Sequence, residues 1–380
     1  MIRLPVKKLK QGMILAQSIF NNHGGSYLVK GQPITDGYIR SLKKLAYLPS
    51  AVTSRTPAFQ LMPPDDIVQE NTRVDAIQKI FSTFESVEET GHMDVDALQK
   101  VSEKILFDLI NRKENLVQLT DIRLHDTYTF GHSVNVAILS AMMGLLCHYT
   151  KKDMLLLTLG ALLHDLGKIN VPLDILTKRT RLKDEEFNII KQHPLDGAKR
   201  IMAMDYALPS PSVLAAIASE HHEHLDGRGY PRGLTGDHIH RYAKIVAIAD
   251  VYDALTSERP YKKAYTPNIA YNIMAHIDKG QFDPELLQLF FNNVSLYPTG
   301  TVLKTSYGYA IVKDCIFGKT ETPIIILFAD QKGKILRIPK TIDLSLESNG
   351  NNSIQMVLTD NELRHFIREI NIDPSIYLKN

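Results

Sequence analysis

Cysteine is scarce: Cys147 and Cys315 are the only two in 380 residues, far apart in sequence and set in apolar surroundings. A disulfide framework and a thiolate-rich metal site are thereby excluded, and two isolated thiols suit a reducing cytoplasm. Charge of one sign is lacking as well. The 44 basic residues nearly balance 42 acidic ones, for a formal charge of +2, so no global field draws a nucleic-acid polymer or a membrane surface. Any anionic ligand must be attracted locally, and the run Lys7-Lys8-Leu9-Lys10 reads as a solvated face. Long hydrophobic runs are also missing. The opening MIRLPVKKLKQGMILAQ has no continuous apolar stretch of the signal-peptide kind. The greasiest segment, Val134 to Cys147, is interrupted by Asn135 and Ser140 and is too short to span a bilayer. It reads as a buried helix. No internal repeat or low-complexity tract is present.

What is there is ordinary globular sequence, 44% apolar and 23% charged, long enough for more than one domain. Residues 1–55 read as a small α+β domain. Met13 to Phe20 and Ser26 to Val29 flank a hairpin signal at Asn21-Asn22-His23-Gly24-Gly25. Tyr38, Ile39, Leu42 and Leu45 then fall at helical spacing, and Leu48 to Thr53 returns as a strand. Pro57, Pro63 and Pro64 mark a linker over 56–74. Residues 75–295 are helical throughout, with apolar stripes such as Ile77, Ile80, Phe81 and Phe84, then Leu98, Val101, Ile105 and Leu109. Residues 296–380 change to short β-like runs with Gly, Asp and Asn between them, closed by a helix near Glu362 to Ile370. The fold class is therefore mainly α, a helical bundle between a small α+β domain and a β-rich C-terminal extension.

The chemistry concentrates in the bundle. Eight of the fourteen histidines lie between His125 and His224. Several stand beside carboxylates: His164-Asp165 closes the apolar run LLLTLGALL, and Glu220-His221-His222-Glu223 and Ile248-Ala249-Asp250 follow. An ionisable pair at the end of so apolar a helix is costly unless a metal or a hydrogen-bond network satisfies it. Histidine and aspartate without cysteine suit borderline divalent ions such as Fe, Mn, Co or Ni. Five or more candidate ligands exceed what one zinc ion needs, which favours two ions. A dinuclear site can hold a hydroxide for in-line attack on phosphorus and stabilise the leaving oxygen.

These residues resemble the HD-GYP family, a branch of the HD superfamily. The resemblance runs through His164-Asp165 with Lys168, Lys178 and His193, His221-His222-Glu223, and Asp226-Gly227-Arg228-Gly229-Tyr230-Pro231. It continues through Asp250-Val251-Tyr252-Asp253-Ala254-Leu255-Thr256 and Arg259-Pro260-Tyr261-Lys262, in the family's order and spacing, and covers residues 121–290. Residues 1–55 resemble more weakly a small domain often found before this module. The resemblance implies an HD-superfamily helical bundle and hydrolysis of cyclic di-GMP to linear pGpG, and on to GMP in some members, by metal-activated hydroxide.

It also assigns roles. His132, His164, Asp165, His193, His221, His222 and Asp250 match the family's metal ligands, with Asp165 as the natural bridge between two ions, Fe or Mn. Asp165 and Lys168 match the catalytic pair. Lys168, Tyr230, Arg259 and Lys262 match residues that hold the substrate, and the GYP segment matches one that engages diguanylate cyclase (GGDEF) proteins. Some members place a third-metal glutamate where this chain has Tyr128, which points to two ions here. Lys178-Arg179-Thr180-Arg181 replaces the family's Lys-Pro-Gly turn. His125, His148 and His224 match no ligand, and Asp253 and Glu223 read as residues that orient ligands from behind. Two rival functions stay open: an HD phosphohydrolase of another nucleotide, and a non-catalytic cyclic di-GMP receptor or scaffold.

Overall fold

The computed structural model of the protein describes residues 2–4, 9–15, 19–20, 26–29, 31–44, 50–52, 67–111, 130–178, 180–204, 208–257, 264–316, 318–347, 353–370, 372 and 374–379. Among these, the N-terminal part pairs strand β1 (Ile2–Leu4) with β4 (Ser50–Val52) and β2 (Ile19–Phe20) with β3 (Ser26–Leu28), both antiparallel. Helix α1 (Asp36–Lys44) packs Ile39 and Leu42 into a small core with Leu9, Met13, Leu15, Leu28 and Ile34. The expected hairpin loop, residues 21–25, lies outside the described residues.

The helical body begins at Ile67 and Val68, which are fully buried ahead of α2 (Glu70–Thr90). The stretch read as a linker over 56–74 is thus helical from Glu70, and its residues 56–66 lie outside the described residues. Helices α3 (Val95–Asn111), α4 (Phe130–Leu146) and α5 (Lys151–Leu163) follow. In α4 every residue from Ser133 to Gly144 is buried, so this helix runs through the middle of the bundle rather than along its surface. Helix α5 starts where the Thr150 hydroxyl accepts a hydrogen bond from the Asp153 amide at 3.2 Å. Short helices α6 (Leu173–Leu176) and α7 (Asp184–Ile190) lead to α8 (His193–Ala203), α9 (Pro211–Glu220) and α10 (Arg241–Thr256). Helix α11 (Pro267–Asn272) runs on into a wider π-helical turn, Ile273–Ile277, and α12 (Pro284–Asn293) is capped by Asp283. Apart from the short α6 and α7, all of these share one hydrophobic core, which extends from Ile67 to Leu296.

The C-terminal part is a five-stranded antiparallel sheet in the order β8-β7-β6-β5-β9. Its strands are β5 (Val302–Thr305), β6 (Gly308–Ile316), β7 (Lys319–Ala329), β8 (Ile335–Asp343) and β9 (Ile354–Val357). Strands β6, β7 and β8 run longer than their apolar runs suggest, because polar residues such as Asp314 and Lys340 continue the pairing. Helix α13 (Asp360–Ile370) covers one face, with Phe366 stacked on Tyr309 at 4.3 Å. The sheet is fastened to the bundle by the Thr320 hydroxyl, which donates to the Phe291 carbonyl at 2.5 Å. No helix among the described residues is long and apolar enough to cross a membrane.

Candidate metal centre

Five elements converge on one buried point. His132 and Asn135 stand in the first turns of α4, and His164 and Asp165 follow the last residue of α5. His193 opens α8, His221 and His222 follow α9, and Asp250 and Asp253 lie one turn apart in α10. After Asp165 the chain tightens into a 3-10 turn, Leu166–Asn170, which carries Lys168. Gly167 makes this approach feasible. A methyl there would sit on the His193 carbonyl and 2.5 Å from the Gly197 nitrogen, so any larger residue would hold α8 away from Asp165.

Asp165 is 1% exposed and lies at the centre. Its Oδ1 is 3.3 Å from His193 Nε2 and 3.9 Å from His221 Nε2. Its Oδ2 is 3.4 Å from His164 Nε2, 3.8 Å from His132 Nε2 and 2.5 Å from Lys168 Nζ. Asp250 closes the far side, with Oδ1 3.0 Å from His132 Nε2 and Oδ2 3.7 Å from His222 Nδ1. Three sets of donor atoms lie within 4.8 Å of one another: His193, His221 and His222; His132, His164 and Asp250; His164, Asp165 and His221. All seven candidate ligands are thus brought together.

The ring orientations are set from behind. Nδ1 of His164, His193 and His221 each meets a backbone carbonyl three residues earlier, on Ala161, Ile190 and Ala218, at 2.7, 2.7 and 2.9 Å. A carbonyl only accepts, so each Nδ1 carries the proton and each Nε2 turns its lone pair inward. His132 uses a side chain in place of a carbonyl, its Nδ1 2.7 Å from Asp253 Oδ2. Within the cluster, His164 Nε2 and Asp165 Oδ1 are buried with no hydrogen-bond partner. Orphaned acceptors of this kind are expensive without a cation to receive them.

The electrostatics agree. Burial works to raise the Asp165 carboxyl, but Lys168, and after it His164 and His193, hold it well below the usual carboxylate range. Burial acts on Asp250 in the same sense, and His132 overcomes it. The His221 imidazole is driven well below its ordinary value by burial and by the neighbouring His222, His164 and His193. Burial takes His222 down to about 3 despite the pull of Asp250. His132 is the exception: burial disfavours its charge, yet the bonds to Asp250 and Asp253 push it up to about 9. Carboxylates that hold a proton on the His132 ring would equally favour a metal cation in its place.

The wall of the site is the turn after His222. Tyr230 stacks on the His222 ring at 4.7 Å, and its amide donates to the His222 carbonyl at 3.1 Å. Burial, then Asp250 and Asp165, raises its phenol, which therefore stays protonated. Glu223 is not a ligand; its carboxylate accepts from the Arg232 and Leu234 amides at 2.7 and 2.9 Å and so shapes the loop. Arg259 and Lys262, and Tyr128 at the third-metal position, lie outside the described residues. Phe187 and Lys191 escaped the reading of the sequence. Phe187 lies edge-on to Tyr230 at 6.4 Å, with Lys191 Nζ over both rings at 4.8 and 5.5 Å. Their only signal is position, in the short helix leading into His193.

A family model described as an HD domain matches residues 104–286. The chain is 32% identical to a cyclic di-GMP phosphodiesterase of Pseudomonas aeruginosa, over 70% of this chain and 63% of that protein. It is 36% identical to a cyclic di-GMP phosphodiesterase of Thermotoga maritima, over 50% of this chain and 49% of the other. A 3'3'-cGAMP-specific phosphodiesterase of Vibrio cholerae is also 36% identical, over 45% of this chain and 36% of its own. The chain thus spans less than two thirds of the length of these relatives. Among solved structures, an HDG"Y"P protein from Bdellovibrio bacteriovorus superposes with a TM-score of 0.50 at 19% identity, covering 76% of this chain and 97% of its own. The HD fold and the buried His/Asp cluster together mark a divalent-metal site.

Proposed function

We propose that the chain, which an HD-domain family model matches over residues 104–286, belongs to the HD-GYP branch of that family and is a metal-dependent phosphodiesterase that hydrolyses cyclic di-GMP to linear pGpG. One observation carries this reading: the two oxygens of buried Asp165 each face two histidine Nε2 atoms, with Oδ1 unpartnered. A carboxylate so placed would offer a donor oxygen to each of two divalent ions.

In this assignment His132, His164 and Asp250 would hold one ion, His193, His221 and His222 the other, and Asp165 would contribute to both. The donor set contains no thiolate, which suits Fe or Mn. Two such ions, when bound, supply Lewis acidity that activates water and offsets charge on the phosphoryl oxygens. The chain's own groups do the rest. Lys168 Nζ, 2.5 Å from Asp165 Oδ2, is placed to neutralise charge that grows on the phosphate in the transition state. Tyr230, packed on His222, presents a protonated hydroxyl and an aromatic wall to the substrate. Arg259 and Lys262 are assigned to the substrate's phosphates on the motif alone. The GYP turn, whose Arg228 side chain is 74% exposed, is assigned as the edge that meets diguanylate cyclase (GGDEF) proteins, and the two isolated thiols fit a cytoplasmic protein.

The second reading is a different cyclic dinucleotide, favoured by the relative named for 3'3'-cGAMP. The test is hydrolysis by protein purified without oxygen, with its metal quantified in the same sample. Cyclic di-GMP, 3'3'-cGAMP and linear nucleotides are compared as substrates. Turnover of cyclic di-GMP with about two Fe or Mn per chain supports the proposal. Preferential turnover of 3'3'-cGAMP moves the assignment to the second reading. Tight binding of the dinucleotide without metal or turnover makes the chain a receptor.

A further inference from the structure

We propose that Arg73 is a positioning residue of the metal centre, acting through Asn135 and Asp253 to fix the ring of His132; the inference rests on the metal-centre reading above. Arg73 lies in the first turn of α2, ahead of the matched residues 104–286. Its Nη1 donates to Asn135 Oδ1 at 2.7 Å, Asn135 Nδ2 donates to Asp253 Oδ1 at 2.8 Å, and Asp253 Oδ2 faces His132 Nδ1 at 2.7 Å. The Ser257 hydroxyl adds a donor to Asp253 Oδ1 at 3.0 Å. Arg73, Asn135 and Asp253 are 3%, 2% and 4% exposed.

Donor and acceptor chemistry gives this chain a direction. A guanidinium only donates, so the carbonyl end of Asn135 must face Arg73 and its amide end must face Asp253. With Oδ1 engaged by Asn135 and Ser257, Asp253 has Oδ2 left for His132. A carboxylate accepts, so His132 Nδ1 holds the proton and Nε2 is aimed at Asp250 and Asp165. Without the arginine, the Asn135 carbonyl loses the donor that anchors it from behind, and the bond to Asp253 is left to hold the amide in place. A flipped amide would set an oxygen against the Asp253 carboxylate and loosen the ring.

Two further observations favour a positioning role over a packing role. Arg73 occupies the apolar stripe of α2 with Ala76, Ile77 and Ile80, all buried. An apolar residue would fill that position without the cost of burying a cation. The start of α2 is also pinned: the Gln69 amide and its side-chain nitrogen both donate to buried Asp108 of α3, at 2.9 and 3.1 Å. The guanidinium is therefore held against Asn135 by the helix framework.

The test measures Mn(II) binding by the full chain, in wild type and in Arg73→Met, Arg73→Gln and Arg73→Lys. Arg73→Met should weaken one of two Mn(II) equivalents about 10- to 100-fold, the usual effect of removing a residue behind a ligand, and leave the other unchanged. Arg73→Gln, which can accept as well as donate, should weaken the same equivalent. Arg73→Lys, a donor only, should restore most of the affinity. Ile77→Ala, one turn along the same stripe, is the packing control and should lower thermal stability without changing either equivalent. Wild-type affinity at both equivalents in Arg73→Met and Arg73→Gln overturns the inference, and Arg73→Gln decides alone if Arg73→Met does not fold. Wild type that binds no Mn(II) overturns the metal-centre reading and this inference with it.

Discussion

His193 Nε2 and His221 Nε2 face each other at 3.4 Å, although the Nδ1 protons of both rings are committed to backbone carbonyls. Two lone pairs therefore meet in a buried site beside Asp165 Oδ1, which has no partner of its own. Only a cation relieves this repulsion without rotating the rings out of their hydrogen bonds. The cluster is thus built at some cost to the metal-free chain, and that cost is measurable.

Metal removal should lower stability. A ligand at a thousand times its dissociation constant stabilises the folded state by about 4 kcal/mol. For a helical body of this size that corresponds to a melting shift on the order of 10 °C. Thermal melts of the Mn(II)-loaded protein before and after chelation check this. An unchanged midpoint would mean that the seven donors do not hold an ion.

In the chelated protein, stability should fall on both sides of neutral pH. His221 and His222 have folded-state values depressed below the ordinary 6.5, His222 to about 3. The unfolded chain therefore takes up protons first, and stability present above about 6.5 is lost as pH drops. His132 has the opposite sign. Raised to about 9, it stabilises fully below its unfolded value of about 6.5, and this contribution disappears as pH rises through 9. Melting of chelated protein from pH 5 to 10 should show both arms, and His132→Gln should remove only the alkaline one.

The clustering of the candidate ligands was legible in the sequence because ionisable residues end or interrupt very apolar helices, as His164-Asp165 does after LLLTLGALL. The change from helices to a sheet was legible for a similar reason, since helical stripes give way after Leu296 to short alternating runs. Arg73 was hidden. Its bond to Asn135 joins two helices far apart in sequence, and no spacing rule connects them. The signal that existed was a cation on the stripe of Ala76, Ile77 and Ile80, and an Asn inside otherwise apolar α4. Glu223 beside His221-His222 shows the reverse problem. Adjacency suggests a role at the metals, while the fold turns its carboxylate to the Arg232 and Leu234 amides.

Asp165 and Lys168 should separate in mutants. Asp165→Asn keeps the shape but cannot bridge two cations, so turnover should fall below detection and the chelator-sensitive part of the melt should shrink. Lys168→Met removes a charge 2.5 Å from Asp165 Oδ2 without removing a ligand. It should retain bound metal and lose about 10²- to 10³-fold in turnover, the usual effect of losing one group that stabilises transition-state charge. Metal analysis alongside steady-state rates distinguishes the two. Full turnover by Asp165→Asn would sink the proposed chemistry.

Gly229 should tolerate no side chain, for a reason of space. A methyl at this position would lie 2.5 Å from the His222 carbonyl oxygen and 2.6 Å from the Glu223 carbonyl carbon. These are backbone atoms that cannot rotate away, and the His222 carbonyl also receives the Tyr230 amide at 3.1 Å. Gly229→Ala must therefore either lift Tyr230 off the His222 ring or displace His222 itself. The expected cost is about 1–3 kcal/mol of stability, typical of overpacking, with turnover reduced and the affinity of the ion held by His193, His221 and His222 lowered. Gly236→Ala is the comparison. It lies in the same loop at φ +50 with open space around it, so it adds backbone strain without crowding His222. Metal affinity should drop in Gly229→Ala and stay unchanged in Gly236→Ala; equal effects in both would show that loop strain, rather than the packing of Tyr230 against His222, governs the site.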